Sequence, residues 1–270
     1  MTDNQKLNVW KATDRRRERF VAHYIPKVNK ALKALVAPLF YNAQTAQSHS
    51  ELTHIVNDGL INDTELIKFF KEMSVRVGEA EGLAVMSSLK SVEPIEQTKD
   101  GEVATDVGSV ERTYFQQVMN AYASTHGAEK VTQISNHTRE ILRKIIKEAS
   151  EQGESIPNTV KKMRDFFGSD LGKARATRIA RTEVLTASSF ANNSAGDLLG
   201  NKYGIKLKKS WLPTPWGDFR EHHLAMATKK PIPFEDYYLV GGVRMKHPHD
   251  PNAPASEVIN CRCSEAYIPI

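Results

Sequence analysis

Apolar residues recur at three- and four-residue spacing through most of the first two hundred positions, and this rhythm stops after Gly200. Between residues 7 and 37, Phe20, Tyr24, Val28, Leu32, Leu35 and Val36 form a single stripe, which predicts a helix. Pro26 is expected to break or kink that helix and Pro38 to close it. The next region, 48–90, predicts two or three packed helices. Asn62-Asp63-Thr64-Glu65 is a cap-like start before Leu66, Ile67, Phe69, Phe70 and Met73, and Gly78 and Gly82 suggest a break. Residues 91–108 lose the periodicity and carry turn residues, so they are expected to be a linker and a domain boundary. Tyr114, Val118, Met119 and Tyr122 start a further helix, expected to end at His126-Gly127. Another is expected through Val131, Ile134, Ile141, Leu142 and Ile145. Ser155-Ile-Pro157 marks a helix start, with Val160, Met163 and Phe167 following, and a last long helix is predicted over about 171–199.

Beyond Gly200 the texture is that of strands and turns. Residues 205–211 alternate as a strand does, Tyr237–Met245 reads as a hairpin turning at Gly241-Gly242, and Val258-Ile259 is expected to be one more short strand. The predicted fold is therefore mainly α: an elongated helical N-terminal region with a small α+β C-terminal domain. The expected divisions are a helical region with a basic arm at 1–90, the linker at 91–108, connecting helices at 109–152 and the C-terminal domain at 153–270.

Composition narrows the class. A hydrophobic fraction of 40% and a charged fraction of 26% are those of a globular protein. No apolar run approaches the ~20 residues needed to span a bilayer, so no membrane partner is expected. The N-terminus shows no apolar signal segment, and two cysteines one residue apart cannot build a disulfide framework; both predict a protein made in a reducing cytoplasm. Net charge is +5, yet residues 1–40 alone carry net +6, so the basic signal is N-terminal. Arg15, Arg16, Arg17, Arg19, Lys27, Lys30 and Lys33 are its candidate docking residues, for DNA or an acidic protein surface. No aromatic residues interleave with the arginines, which predicts non-specific phosphate contacts rather than base stacking.

The candidate chemistry lies near the C-terminus. Cys261 and Cys263 with His223, and with His249, Asp250, His222 and His247 competing for the remaining positions, offer the thiolate, imidazole and carboxylate donors that hold Zn²⁺ tetrahedrally. The same groups also fit an alternative, a metal-dependent nuclease acting on DNA, with His249-Asp250 or His223 and Asp218 as the base. The chain has no P-loop, no GxSxG elbow and no HExxH helix, which favours a protein that is not an enzyme.

One ordered set of residues suggests a family. Ala180-Arg181-Thr182-Glu183, Trp211, Asp218-x-Arg220-x-x-His223, Phe234, Gly241-Gly242, Pro248-x-Asp250-Pro251 and Glu257-Val-Ile-Asn260-Cys261-Arg262-Cys263 together resemble the Mu F-like domain over residues 153–265. This is the minor head, or head morphogenesis, protein family of tailed bacteriophages and prophages. The resemblance implies a virion protein made in the host bacterial cytoplasm and carried inside the head. It would associate with the phage portal protein and with the major capsid or scaffolding protein, and contact packaged double-stranded DNA during assembly, packaging or delivery. Arg181, Thr182, Glu183, Trp211, Asp218, Arg220 and Asn260 are then expected to hold the domain together.

Overall fold

The computed structural model describes residues 1–59, 63–90, 107–215 and 220–270. The expected linker thus falls, except for its last two residues, outside the described residues, as do Asn62 of the expected cap and Asp218.

Among the described residues, six α-helices precede the strands. Helix α1 (Asp3–Asn42) runs without interruption through both Pro26 and Pro38. This corrects the expected break. A proline in a helix interior removes one hydrogen bond and crowds the preceding turn. Here Val28, Leu32, Leu35, Val36 and Leu39 are all buried, and their packing outweighs that local cost. Helix α2 (His49–Asp58) is capped by Ser48, whose Oγ accepts the Glu51 N–H at 3.1 Å. Helix α3 (Asp63–Lys90) continues through Gly78 and Gly82, and α4 (Val107–Glu151) continues through His126-Gly127. Neither expected break occurs. In α3 the glycines are points of close approach: a Cβ at Gly82 would lie 2.3 Å from Phe115 Cε1, and one at Gly78 would lie 2.4 Å from Met119 Cγ. Helix α5 (Ile156–Phe166) starts where Ser155 and Pro157 predict it, and α6 (Asp170–Tyr203) outruns its expected span at both ends.

The C-terminal elements are short. Strands β1 (Leu207–Leu212), β2 (Ile232–Pro233) and β5 (Ser264–Pro269) form an antiparallel sheet in the order β2-β1-β5. Trp211 stands opposite Glu265, and Leu207 opposite Pro269. Strands β3 (Tyr238–Val240) and β4 (Val243–Met245) pair as the expected hairpin, with Gly241 and Gly242 at φ 56° and 86°. Two helical turns, α7 (Glu221–Leu224) and α8 (Ala255–Val258), connect the strands. The strand expected at Val258-Ile259 is therefore the end of α8, and the last strand begins at Ser264 instead. The protein is mainly α, with long N-terminal helices and a small C-terminal region of antiparallel strands. No helix among the described residues is long and apolar enough to cross a membrane.

Two compact units result, each assembled from separated stretches of the chain. The first comprises Met1–Val21, Met73–Tyr122 and Arg181–Ile270; the second comprises Ala22–Glu72 and Ala123–Ala180. In the first, Met86, Phe115, Leu199, Leu207, Phe234 and Tyr267 form one apolar cluster. Trp211, Tyr238, Val240, Met245, Cys261 and Cys263 form another. In the second, Phe40 meets Phe167 edge-on at 6.2 Å. There Arg139 also donates to the carbonyls of Val56 and Gly59 at the end of α2, which helix geometry leaves without intrahelical partners.

Candidate metal centre

The first unit gathers three soft donors in its interior. His223 comes from α7, where His223 N–H bonds Arg220 O at 3.0 Å and sets the first turn. Cys261 and Cys263 flank Arg262 in the segment between α8 and β5. His223 Nδ1 lies 3.6 Å from Cys261 Sγ and 3.5 Å from Cys263 Sγ. All three residues are buried, and the three donor atoms lie within 4.8 Å of one another. Metal–sulfur and metal–nitrogen bonds of about 2.3 and 2.05 Å at a tetrahedral angle give a donor–donor edge of about 3.6 Å. The observed separations match that edge, so the residues present fit a zinc ion.

The surroundings suit the same role. His223 Nε2 bonds Glu257 Oε2 at 2.8 Å, which turns Nδ1 toward the sulfurs. A carboxylate behind a histidine fixes its tautomer and orientation in many metal sites. Glu257 also takes His222 Nε2 at 2.7 Å. Burial works against ionisation of Glu257, but the hydrogen bonds from His222 and His223 outweigh it and hold the carboxyl below its usual range. Burial likewise opposes a charged His223, yet its contacts with Cys261 and Glu257 prevail and raise its pKa. The thiols behave as a pair. Hydrogen bonding from Cys263 holds Cys261 well below its usual value against the effect of burial, and His249 and His223 add to the depression. Cys263, as the donor and buried, is pushed well up. The Cys263 amide also donates to Cys261 Sγ at 3.4 Å, supporting negative charge on that sulfur. Trp211 closes one side, its ring edge-on to His223 at 5.4 Å and to Tyr238 at 5.3 Å.

Other expected site residues take different positions. Asp250 is a loop clamp: Oδ2 accepts Lys246 N–H at 2.7 Å, and Oδ1 accepts the Asn252 backbone and side-chain N–H groups at 2.9 and 3.1 Å. It is outside the donor cluster, because both its oxygens are engaged in its own loop. His247 bonds Pro248 O through Nδ1 at 2.8 Å, and burial lowers its pKa to about 4, so it is a neutral packed ring. His249 is fully buried, and its interaction with Cys261 places it beside the cluster.

The residues of the Arg-Thr-Glu helix and its followers converge on the cysteine segment. Arg181 donates to Asn260 Oδ1 at 2.8 Å, and Thr182 Oγ1 accepts Asn260 N–H at 3.2 Å. Arg220 donates to Ile259 O at 3.0 Å. Glu183, one residue further along α6, interacts with Tyr122 and helps raise that phenol's pKa, behind the larger effect of burial. Sequence reasoning missed the other grip, from α1. Trp10 Nε1–H donates to Arg262 O at 3.2 Å, and Arg262 pairs with Asp14 at 2.8 Å. Arg17, buried to 2% exposure, donates to Ser188 Oγ, Ser189 Oγ and Cys263 O at 2.7, 2.9 and 3.0 Å. This corrects its assignment as a docking residue. Arg16 is also committed, forming a two-pronged pair with Glu81 at 3.1 and 3.2 Å. Arg15, Arg19, Lys27, Lys30 and Lys33 remain exposed on α1. A charge run in sequence gives no sign of which arginine turns inward. A period-3.6 reading of α1 would have set Arg17 with Trp10, Thr13, Val21 and Tyr24 on the buried face.

Fold and site thus define a mainly helical protein with a buried His–Cys–Cys cluster in a small α+β region. Comparisons with family models, curated proteins and solved structures find no match to this chain.

Proposed function

We propose that this chain is a non-enzymatic minor head protein of a tailed phage or prophage, whose C-terminal module is closed by one structural zinc ion. The observation that supports the zinc reading is the pair of distances, 3.6 and 3.5 Å, from His223 Nδ1 to the sulfurs of Cys261 and Cys263. Zinc bound there would supply cross-linking between α7 and the segment before β5, with Glu257 orienting His223 from behind. Because α1 and α6 grip the same segment through Arg17, Trp10, Arg181 and Thr182, the ion would stabilise the whole first unit. The donors are buried, with His223 1% exposed. That burial suits a structural ion over a nuclease centre, which keeps a position open to water and substrate. The head-protein role rests on the motif resemblance, with partners in the portal protein and in the major capsid or scaffolding protein.

Elemental analysis of purified protein is expected to give one zinc per chain. Chelation, or Cys261→Ser with Cys263→Ser, is expected to lower the melting temperature and remove the ion, since structural zinc contributes directly to folding. Full stability in the metal-free double variant would refute the structural role. Plasmid cleavage with Mg²⁺, Mn²⁺ or Zn²⁺ that His223→Ala abolishes would favour the nuclease instead. Capture by the cognate portal protein tests the assembly role directly.

A further inference from the structure

The cluster supplies three donors, and a structural zinc site takes four. We propose that His249 is the fourth ligand, making the centre a closed Cys₂His₂ site; this rests on the zinc reading above. His249 is 0% exposed, and among the described residues neither ring nitrogen has a hydrogen-bonding partner. A buried imidazole without partners is costly, and native proteins rarely leave one so. It also sits beside Cys261, whose thiol it helps to lower.

The backbone points the same way. His249 adopts φ 60°, the left-handed region that glycine enters freely and other residues enter at a cost. Asp250 holds this turn by accepting from Lys246 N–H and from Asn252. The loop therefore carries strain at His249, whose ring is buried and whose nitrogens lack hydrogen-bonding partners. A metal bond would offset both costs. Competing donors are engaged elsewhere: His247 with Pro248 O, Asp250 in its loop, and His222 with Glu257. The ring of His249 lies outside the close group formed by the His223, Cys261 and Cys263 donor atoms, so ligation would turn it toward them.

Cobalt titration of the full chain tests this, since Co²⁺ reports ligand number and thiolate count in its visible and charge-transfer bands. Wild type is expected to show intense tetrahedral bands with two thiolates. His249→Gly, which relieves the backbone strain and so keeps the apo fold, is expected to weaken Co²⁺ and Zn²⁺ binding by at least ~100-fold, above the 10–100-fold typical of losing an outer-shell partner. His249→Cys is expected to restore tight binding and raise the thiolate charge-transfer intensity by roughly one half, from two sulfurs to three. Unchanged affinity and spectrum in His249→Gly would overturn the assignment of His249 while leaving the zinc site standing. Wild type that binds neither ion would overturn both.

Discussion

Asn260, with His249, is one of two non-glycine residues at positive φ among the described residues, at 56°. Asparagine tolerates this region better than most side chains, and here its Oδ1 also receives Arg181. The two effects separate by substitution. Asn260→Ala loses the hydrogen bond and tolerates this region worse than asparagine does, and is expected to cost about 2 kcal/mol in urea unfolding. Asn260→Gly also loses the bond, but relief of the strain offsets part of that loss, so its cost is expected to be no more than about 0.5–1 kcal/mol. Equal costs would mean that the turn is not strained. Lys209 poses a different question at this scale. Its ammonium is buried, donates to Lys246 O at 2.6 Å and lies 5.1 Å from the Tyr238 ring centre. Burial lowers its pKa to about 8, with Lys246 in the same direction and Glu265, Glu235 and Asp197 opposing. A lysine whose folded pKa lies below its unfolded value of about 10.4 binds fewer protons in the folded state between those limits. Stability should therefore rise as pH climbs from about 8 toward 10.4, relative to Lys209→Met. Parallel unfolding curves at pH 7.5 and 10 measure the difference, and a constant gap would show that Lys209 is not perturbed.

At the scale of elements, the periodic signal was legible and its punctuation misled. The stripes of α1, α3 and α4 fall in helices where the sequence places them, because three- and four-residue spacing follows from helix geometry, and the long helix expected before Gly200 is α6. Glycine and proline were read as breaks, whereas Gly78 and Gly82 are contact points and both α1 prolines are carried by tertiary burial. The hairpin at Gly241-Gly242 was legible because only its turn chemistry needs glycine twice. Strand β5 was not, since its first four residues, Ser264, Glu265, Ala266 and Tyr267, are all buried and show no alternation. Of the candidate centre, the Cys-x-Cys and His223 could be read from residue type, while Glu257 and the α1 contacts depend on long-range packing. The two kinds of glycine give opposite expectations. Gly82→Ala places a methyl 2.3 Å from the buried Phe115 ring, so overpacking of about 1–3 kcal/mol should exceed the helix-propensity gain of about 1 kcal/mol. Gly127→Ala meets nothing within 4 Å and should stabilise by about 0.5–1 kcal/mol. Thermal melts of the two variants should move in opposite directions, and a stabilised Gly82→Ala would show that α3 and α4 have room at that point.

At the scale of the whole molecule, the basic N-terminal charge divides into internal and external parts. Arg16 and Arg17 are spent on Glu81, Ser188, Ser189 and Cys263 O, and Trp10 and Val21 are core residues. Deleting the arm would therefore unfold the first unit and say nothing about binding. The informative change is to neutralise only Arg15, Arg19, Lys27, Lys30 and Lys33, which are exposed and leave the core intact. If these five cations contact DNA phosphates, each contact releases counterions and adds about 0.9 to the slope of log affinity against log salt. Replacing all five with glutamine should then flatten that slope by up to about 4.5 and weaken duplex binding most at low salt. Sequence of the duplex should matter little, because phosphate contacts position a protein without reading bases. Fluorescence anisotropy with two unrelated duplexes between 50 and 200 mM salt measures both effects. Identical slopes for wild type and the five-fold variant would leave α1 with a solvated charged face, and DNA contact would then have to lie elsewhere on the molecule.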